Sequence, residues 1–198
     1  MCSQTIRKDG TRERKRRETL LRIAETGLTL FAEQGYDATT LEAIAEASGI
    51  SPRTFFYYFK TKDEVLQYWQ GTGFANAIAP TLLAQPLDKP PLHAVRDTLV
   101  SLMTSYQNEK SLTVDRIYNS SETLSVRKQG FYLQMEQTVF ATLCERWPNP
   151  QRRPQLRMIA MVAIGAFRLA MEARRNDTQT RPIAEYLSES FAVLETKY

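Results

Sequence analysis

Ser51, Arg53, Thr54, Tyr57 and Tyr58 bring five hydrogen-bonding side chains into eight consecutive positions. Arginine pairs bidentately with the guanine edge, and hydroxyls bond phosphate oxygens, so this set suits a surface that reads a nucleic-acid groove. Arg53 is the candidate for base readout, with Tyr57 and Tyr58 available to phosphates and sugars. Phe55 and Phe59, four apart, are expected to point to the core. An aromatic run is by itself ordinary core, and the interleaved polar residues carry the argument. Lys62 opens the next helix, where side-chain charge and free backbone N–H groups together suit a phosphate. Thr39 and Thr40, at another helix start, suit a second.

These side chains need helices to aim them. Residues 16–34 form an amphipathic pattern, with Leu20, Ile23/Ala24, Gly27/Leu28 and Phe31 at three-to-four spacing and Gly35 as the stop. Thr39 and Glu42 have the capping-box spacing for a short helix that buries Leu41, Ile44, Ala45 and Ser48 and ends at Gly49. Ser51 as cap and Pro52 as first residue open a third helix through Phe59, too short to persist alone. Thr61–Glu64 repeats the capping pattern and begins a fourth helix through Val65, Leu66 and Trp69. Two short capped helices joined by a tight glycine turn, behind a longer one, make a helix-turn-helix.

These residues resemble the N-terminal domain of TetR-family regulators. The likeness runs through Leu30-Phe31 to Gly35-Tyr36, Thr39 to Ala45, and Ser48 to Leu66. It implies an all-α fold of nine or ten helices, a homodimer, a C-terminal ligand-binding domain, and DNA contacts from Thr40, Ser51, Arg53, Thr54, Tyr57, Tyr58 and Lys62. One departure stands out. Phe56 occupies a position where the family usually has a tyrosine that bonds a phosphate.

Charge is concentrated in the same half. Residues 7–22 carry eight Arg/Lys against three acids, while the rest of the chain sums to −1. Residues 1–15 are read as a flexible basic arm, 16–62 as the DNA-binding domain, and 63–198 as the effector-binding and dimerisation domain. Two cysteines, Cys2 and Cys144, and a polar N-terminus without an apolar leader suit a cytoplasmic protein with no disulfide. His93 is the only histidine and is expected exposed, so a histidine-based metal site is excluded. No Gly-x-Ser-x-Gly, phosphate-cradling glycine loop or Cys-x-x-Cys occurs, and neither an enzyme nor a cofactor is expected.

The remainder reads as helices over 91–108, 110–119, 122–147, 152–175 and 182–196, with the proline-rich 80–91 as an irregular connection. Leu156, Ile159, Ala160, Ala163, Ile164 and Phe167, with Ile183, Tyr186, Leu187, Phe191 and Leu194, are candidates for a dimer interface or for core. Met103, Tyr106, Tyr118, Phe131, Met135, Met161, Phe167 and Arg168 are candidates to line an effector pocket, against the alternative of plain core. Arg168, inside an apolar helix, must either pair, with Glu172 four residues on as the candidate acid, or hold a ligand anion. The stretch from Asp115-Arg116 to Arg174 also resembles the mycofactocin-regulator subgroup, which implies an acyl-coenzyme-A-like effector. The expected function is a ligand-released repressor on palindromic double-stranded operator DNA, with no membrane partner. An activator or dual regulator of the same fold, and a non-specific architectural DNA protein, remain as alternatives.

Overall fold

The computed structural model describes residues 5–70, 74–106, 109–177 and 181–195. Cys2 and the first four residues of the expected arm lie outside them. Every regular element among the described residues is helical, as expected: α1 (Thr5–Gln34), α2 (Leu41–Ala47), α3 (Pro52–Tyr58), α4 (Lys62–Gln70), α5 (Asn76–Leu83), α6 (Pro91–Tyr106), α7 (Glu109–Tyr118), α8 (Glu122–Arg146), α9 (Arg153–Asn176) and α10 (Ile183–Glu195). Among the described residues no helix is long and apolar enough to cross a membrane.

Two compact units divide the chain. The first comprises Met1–Gln70 and Glu109–Leu124, the second Gly71–Asn108 and Ser125–Tyr198, so the chain passes between them three times. In the first unit, α1 lays its apolar stripe against α2, α4 and α7. Ile23, Ala24, Ile44, Ala45, Phe55, Val65 and Leu66 are fully buried there, joined by Val114, Ile117 and Tyr118 of α7. Gly27 sits where α1 meets α4. A Cβ there would fall 2.6 Å from Val65 Cγ1, so only glycine permits this approach. The Trp69 indole donates to the Ala24 carbonyl at 2.9 Å, and Lys110 of α7 pairs with Glu25 over the Trp69 ring.

The second unit packs α5, α6, α9 and α10 around Ile78, Leu82, Leu99, Leu156, Ala163, Tyr186, Leu187 and Phe191. Met135, Val139 and Leu143 of α8 share the same core. Two sequence readings change here and a third is narrowed. The expected flexible arm continues α1, which is helical from Thr5. The expected irregular stretch from Pro80 is helical to Leu83, with Pro80 inside α5. Residues 74 and 75, just before it, are wound as a π turn. Arg146 of α8 then donates to the carbonyls of Leu83, at 2.5 Å, and Gln85, satisfying the end of α5. Finally, of the residues left between a dimer interface and core, Leu156, Ala160, Ala163, Ile164, Phe167, Ile183, Tyr186, Leu187 and Phe191 are buried in the core of their own unit, Ile159 is half-buried and Leu194 is exposed. Met158, Met161, Leu169 and Val193 join Leu194 as the outward apolar residues of α9 and α10.

Candidate nucleic-acid interface and effector cluster

The turn between α2 and α3 is built by Gly49 at φ 67°, a left-handed conformation that side chains resist. Gly35, at φ 86°, ends α1 in the same way. Ser51 caps α3, its hydroxyl accepting from Thr54 N at 3.2 Å and lying 2.9 Å from the Thr54 hydroxyl, with Pro52 following as the first helical residue. Phe55 is fully buried and Phe59 nearly so, their ring centres 6.0 Å apart. Burial of two such rings contributes about 3–6 kcal/mol and holds a helix of seven residues that could not stand alone.

With Phe55 inward, α3 turns Ser51, Arg53, Thr54, Phe56 and Tyr57 to solvent, while Tyr58 is half-buried. Tyr57 is 66% exposed, which leaves its hydroxyl and ring face accessible for contact. The Tyr57 and Tyr58 rings meet edge to face at 5.1 Å. Phe56, 40% exposed, presents an apolar ring on this surface.

Thr40 caps α2, its hydroxyl accepting from Ala43 N at 3.1 Å, and its side chain is exposed. The cap expected of Thr39 is therefore one residue out. Thr39 is buried, and its hydroxyl donates to the Gly35 carbonyl at 2.8 Å, so it offers nothing to a phosphate. Lys62 also differs from expectation. Its ammonium donates to the carbonyls of Tyr36 (2.7 Å), Asp37 (3.2 Å) and Thr39 (3.2 Å), and lies over the Tyr36 ring. Three N–H groups meet three carbonyls, so Lys62 clasps the α1–α2 turn onto α4. Tyr36 in turn donates from its hydroxyl to Asp63. No local pattern in the sequence marks this clasp, which joins residues 26 apart.

The pocket candidates do not all come together. Met103, Met135 and Phe167 are buried in the second unit with Phe131 half-buried beside them. Phe74, missed in the sequence, stacks on Phe167 at 5.7 Å and meets Tyr106 edge-on at 6.3 Å. Tyr118 is core of the first unit, and Met161, 46% exposed, faces outward on α9, so neither joins this cluster. Arg168 is exposed, and among the described residues it makes no ion pair with Glu172. Its guanidinium lies 5.2 Å from the Tyr132 ring centre, and Lys128, almost fully buried, lies 5.8 Å from the same ring. Cation–π contact is thus the partner found for the arginine. His93, expected exposed, is half-buried on α6. Among the described residues no cluster of three or more His, Cys, Asp or Glu could hold a metal ion.

Residues 23–68 match the model for bacterial regulatory proteins of the tetR family. The HTH-type transcriptional regulator TcmR of Streptomyces glaucescens is 40% identical over 86 residues, covering 43% of this chain and 38% of that protein. The curated relatives are thus matched over well under half of their own length, as is YerO of Bacillus subtilis at 33%. Over the fold, the chain resembles Thermus thermophilus FadR in complex with lauroyl-CoA, with TM-score 0.55 and 22% identity across 89% of this chain and 93% of that one. It also resembles SmeT in its triclosan complex, with TM-score 0.63 and 16% identity across 89% and 91%. Identities this low speak for the fold alone, whereas the N-terminal match is one of sequence. Residues 23–68 are therefore similar, in sequence as well as in fold, to the helix-turn-helix domain of bacterial regulatory proteins of the tetR family.

Proposed function

We propose that this protein is a ligand-responsive transcription repressor that binds a palindromic operator as a homodimer. The observation that carries the reading is α3 itself: a capped helix pinned by Phe55 with Arg53, Thr54 and Tyr57 turned to solvent. Arg53 reads a guanine edge, while Thr40, Ser51, Thr54, Tyr57 and Tyr58 bond the flanking backbone. Two such helices in a symmetric dimer enter successive major grooves about 34 Å apart. The outward apolar residues Met158, Met161 and Leu169 on α9, with Val193 and Leu194 on α10, support self-association through these helices.

The effector is a small hydrophobic molecule held in the second unit near Phe74, Tyr106, Phe131 and Phe167, with Arg168 available to an anionic group. The solved relatives bound to lauroyl-CoA and triclosan, and the resemblance to mycofactocin regulators, favour this class, an acyl-coenzyme-A-like molecule included. The ligand acts through its different affinity for the DNA-competent and DNA-incompetent states. Selection of bound duplexes from a random pool by the purified protein tests the reading. Recovery of one short palindrome supports it; recovery of no enriched motif refutes operator reading.

A further inference from the structure

Residues 10–22 of α1 hold six Arg/Lys against two Glu, a net charge of +4 that equals that of the whole chain. From Gly10 to Glu18 the helix is exposed on every side, and core contact begins only at Thr19 and Leu20. At about 1.5 Å per residue this is a rod of roughly 13 Å extending beyond the first unit's core. Among the described residues its ion pair is Arg14–Glu18, at 3.5 Å and largely exposed, which is worth little. Cations three and four apart, such as Arg12, Lys15 and Arg16, repel along the helix.

The arrangement of these charges has a direction. Buried Phe31, Leu28, Gly27, Ala24 and Ile23 and half-buried Leu20 form the stripe of α1 that faces α2 and α4. Continued upstream at the same three-to-four spacing, that stripe reaches Arg17 and Arg16, then Glu13 and Arg12. Where the core ends, the face that was apolar becomes cationic. Arg14, Lys15 and Arg22 lie on the other flanks of the helix.

We propose that the Arg12–Arg16–Arg17 face of α1 is a second, sequence-independent contact to the phosphate backbone of the duplex that flanks the operator half-site. The inference rests on the DNA reading above and adds a surface to it. Duplex DNA is the occupant favoured by charge: an extended polyanion matches a rod of like charges, and each neutralised phosphate releases a counterion.

The test measures affinity against salt for the wild type, an Arg12→Gln/Arg16→Gln/Arg17→Gln variant, and an Arg14→Gln/Lys15→Gln/Arg22→Gln variant of equal net charge. Each is titrated onto the duplex recovered by selection, once with flanking sequence and once trimmed to the palindrome. Far-UV circular dichroism confirms that all three fold. On the flanked duplex the first variant is expected to lose about two to three from the slope of log K against log salt, and about tenfold in affinity at physiological salt. It loses little on the trimmed duplex, and the equal-charge control loses clearly less on both. Equal losses for the two variants, or none on the flanked duplex, would overturn the proposal. So would binding of the wild type but not the first variant to phosphatidylglycerol vesicles with unchanged DNA slopes, which assigns the face to a membrane. Arg53→Ala in the same titration separates the two readings: if it loses sequence preference while the α1 variants change nothing, operator reading stands and this contact falls.

Discussion

The ammonium of Lys62 lies 4.4 Å from the centre of the Tyr36 ring and donates to the carbonyl of the same residue at 2.7 Å. With Asp37 and Thr39 also accepting from it, the lysine fixes the turn that leads into α2. Lys62→Ala should therefore lower stability by about 1–2 kcal/mol, because two partly buried carbonyls and an exposed one lose a charged donor. The slope of DNA affinity against salt should change by well under one unit, whereas loss of a phosphate contact removes about one. Urea unfolding and a salt titration read the two effects separately, and an unchanged urea midpoint would refute the clasp.

Gly27→Ala tests the approach of α1 to α4. Alanine raises helix propensity by about 1 kcal/mol, but its Cβ meets the stiff, branched Val65 side chain. Overpacking of this kind costs about 1–3 kcal/mol, so a net loss of roughly 1 kcal/mol is expected. Val65→Ala should be less damaging in the Gly27→Ala background than alone, since it vacates the space. Additive losses in a double-mutant cycle would contradict the contact.

How much of this was legible in the sequence depends on the range of the interaction. Ser51, Pro52 and Gly49 act within one or two turns of chain, and the cap of α3 and the turn before it followed from residue type. Thr39 and Thr40 are chemically alike as caps, and the pattern alone could not tell that Thr39 is drawn inward to the Gly35 carbonyl. Lys62, Tyr118 and Phe74 depend on partners far along the chain. The placement of α7 in the first unit likewise has no local signature, since Val114, Ile117 and Tyr118 would fit any apolar surface. On α9 the periodicity gave a helix with a buried stripe, but the more apolar stripe proved to be core, leaving Met158, Met161 and Leu169 outside.

Phe56→Tyr should add a hydroxyl to the exposed surface of α3, where the ring is already 40% accessible. A new hydrogen bond to a phosphate is worth about 0.5–1.5 kcal/mol, or roughly two- to tenfold in affinity. The gain should be the same on selected and random duplexes, because a phosphate carries no sequence. Anisotropy titrations on both duplexes check this, and a gain confined to the selected duplex would place the residue against a base.

Asp97 ties α6 to the connection before it, accepting from Lys89 at 2.7 Å and Arg96 at 2.9 Å. Partial burial acts to raise its pKa, but the hydrogen bonds and charges of Lys89 and Arg96 outweigh this and hold it below the ordinary 3.8. The folded state therefore favours the carboxylate. Its contribution is present above the unfolded value and is lost as pH falls through the depressed folded one. Asp97→Asn should be less stable than the wild type at neutral pH by up to about 1 kcal/mol. The difference should close at the acid end of a series of thermal melts, and a gap that widens on acidification would reverse the assignment.

The central claim is that α3 reads sequence through Arg53, and the most direct measurement is the ratio of affinities for the selected duplex and a scrambled one at fixed salt. Arg53→Ala should reduce that ratio by about ten- to a hundredfold, with only a small loss on the scrambled duplex. Equal losses on both duplexes would make Arg53 a backbone contact and contradict base readout from this helix.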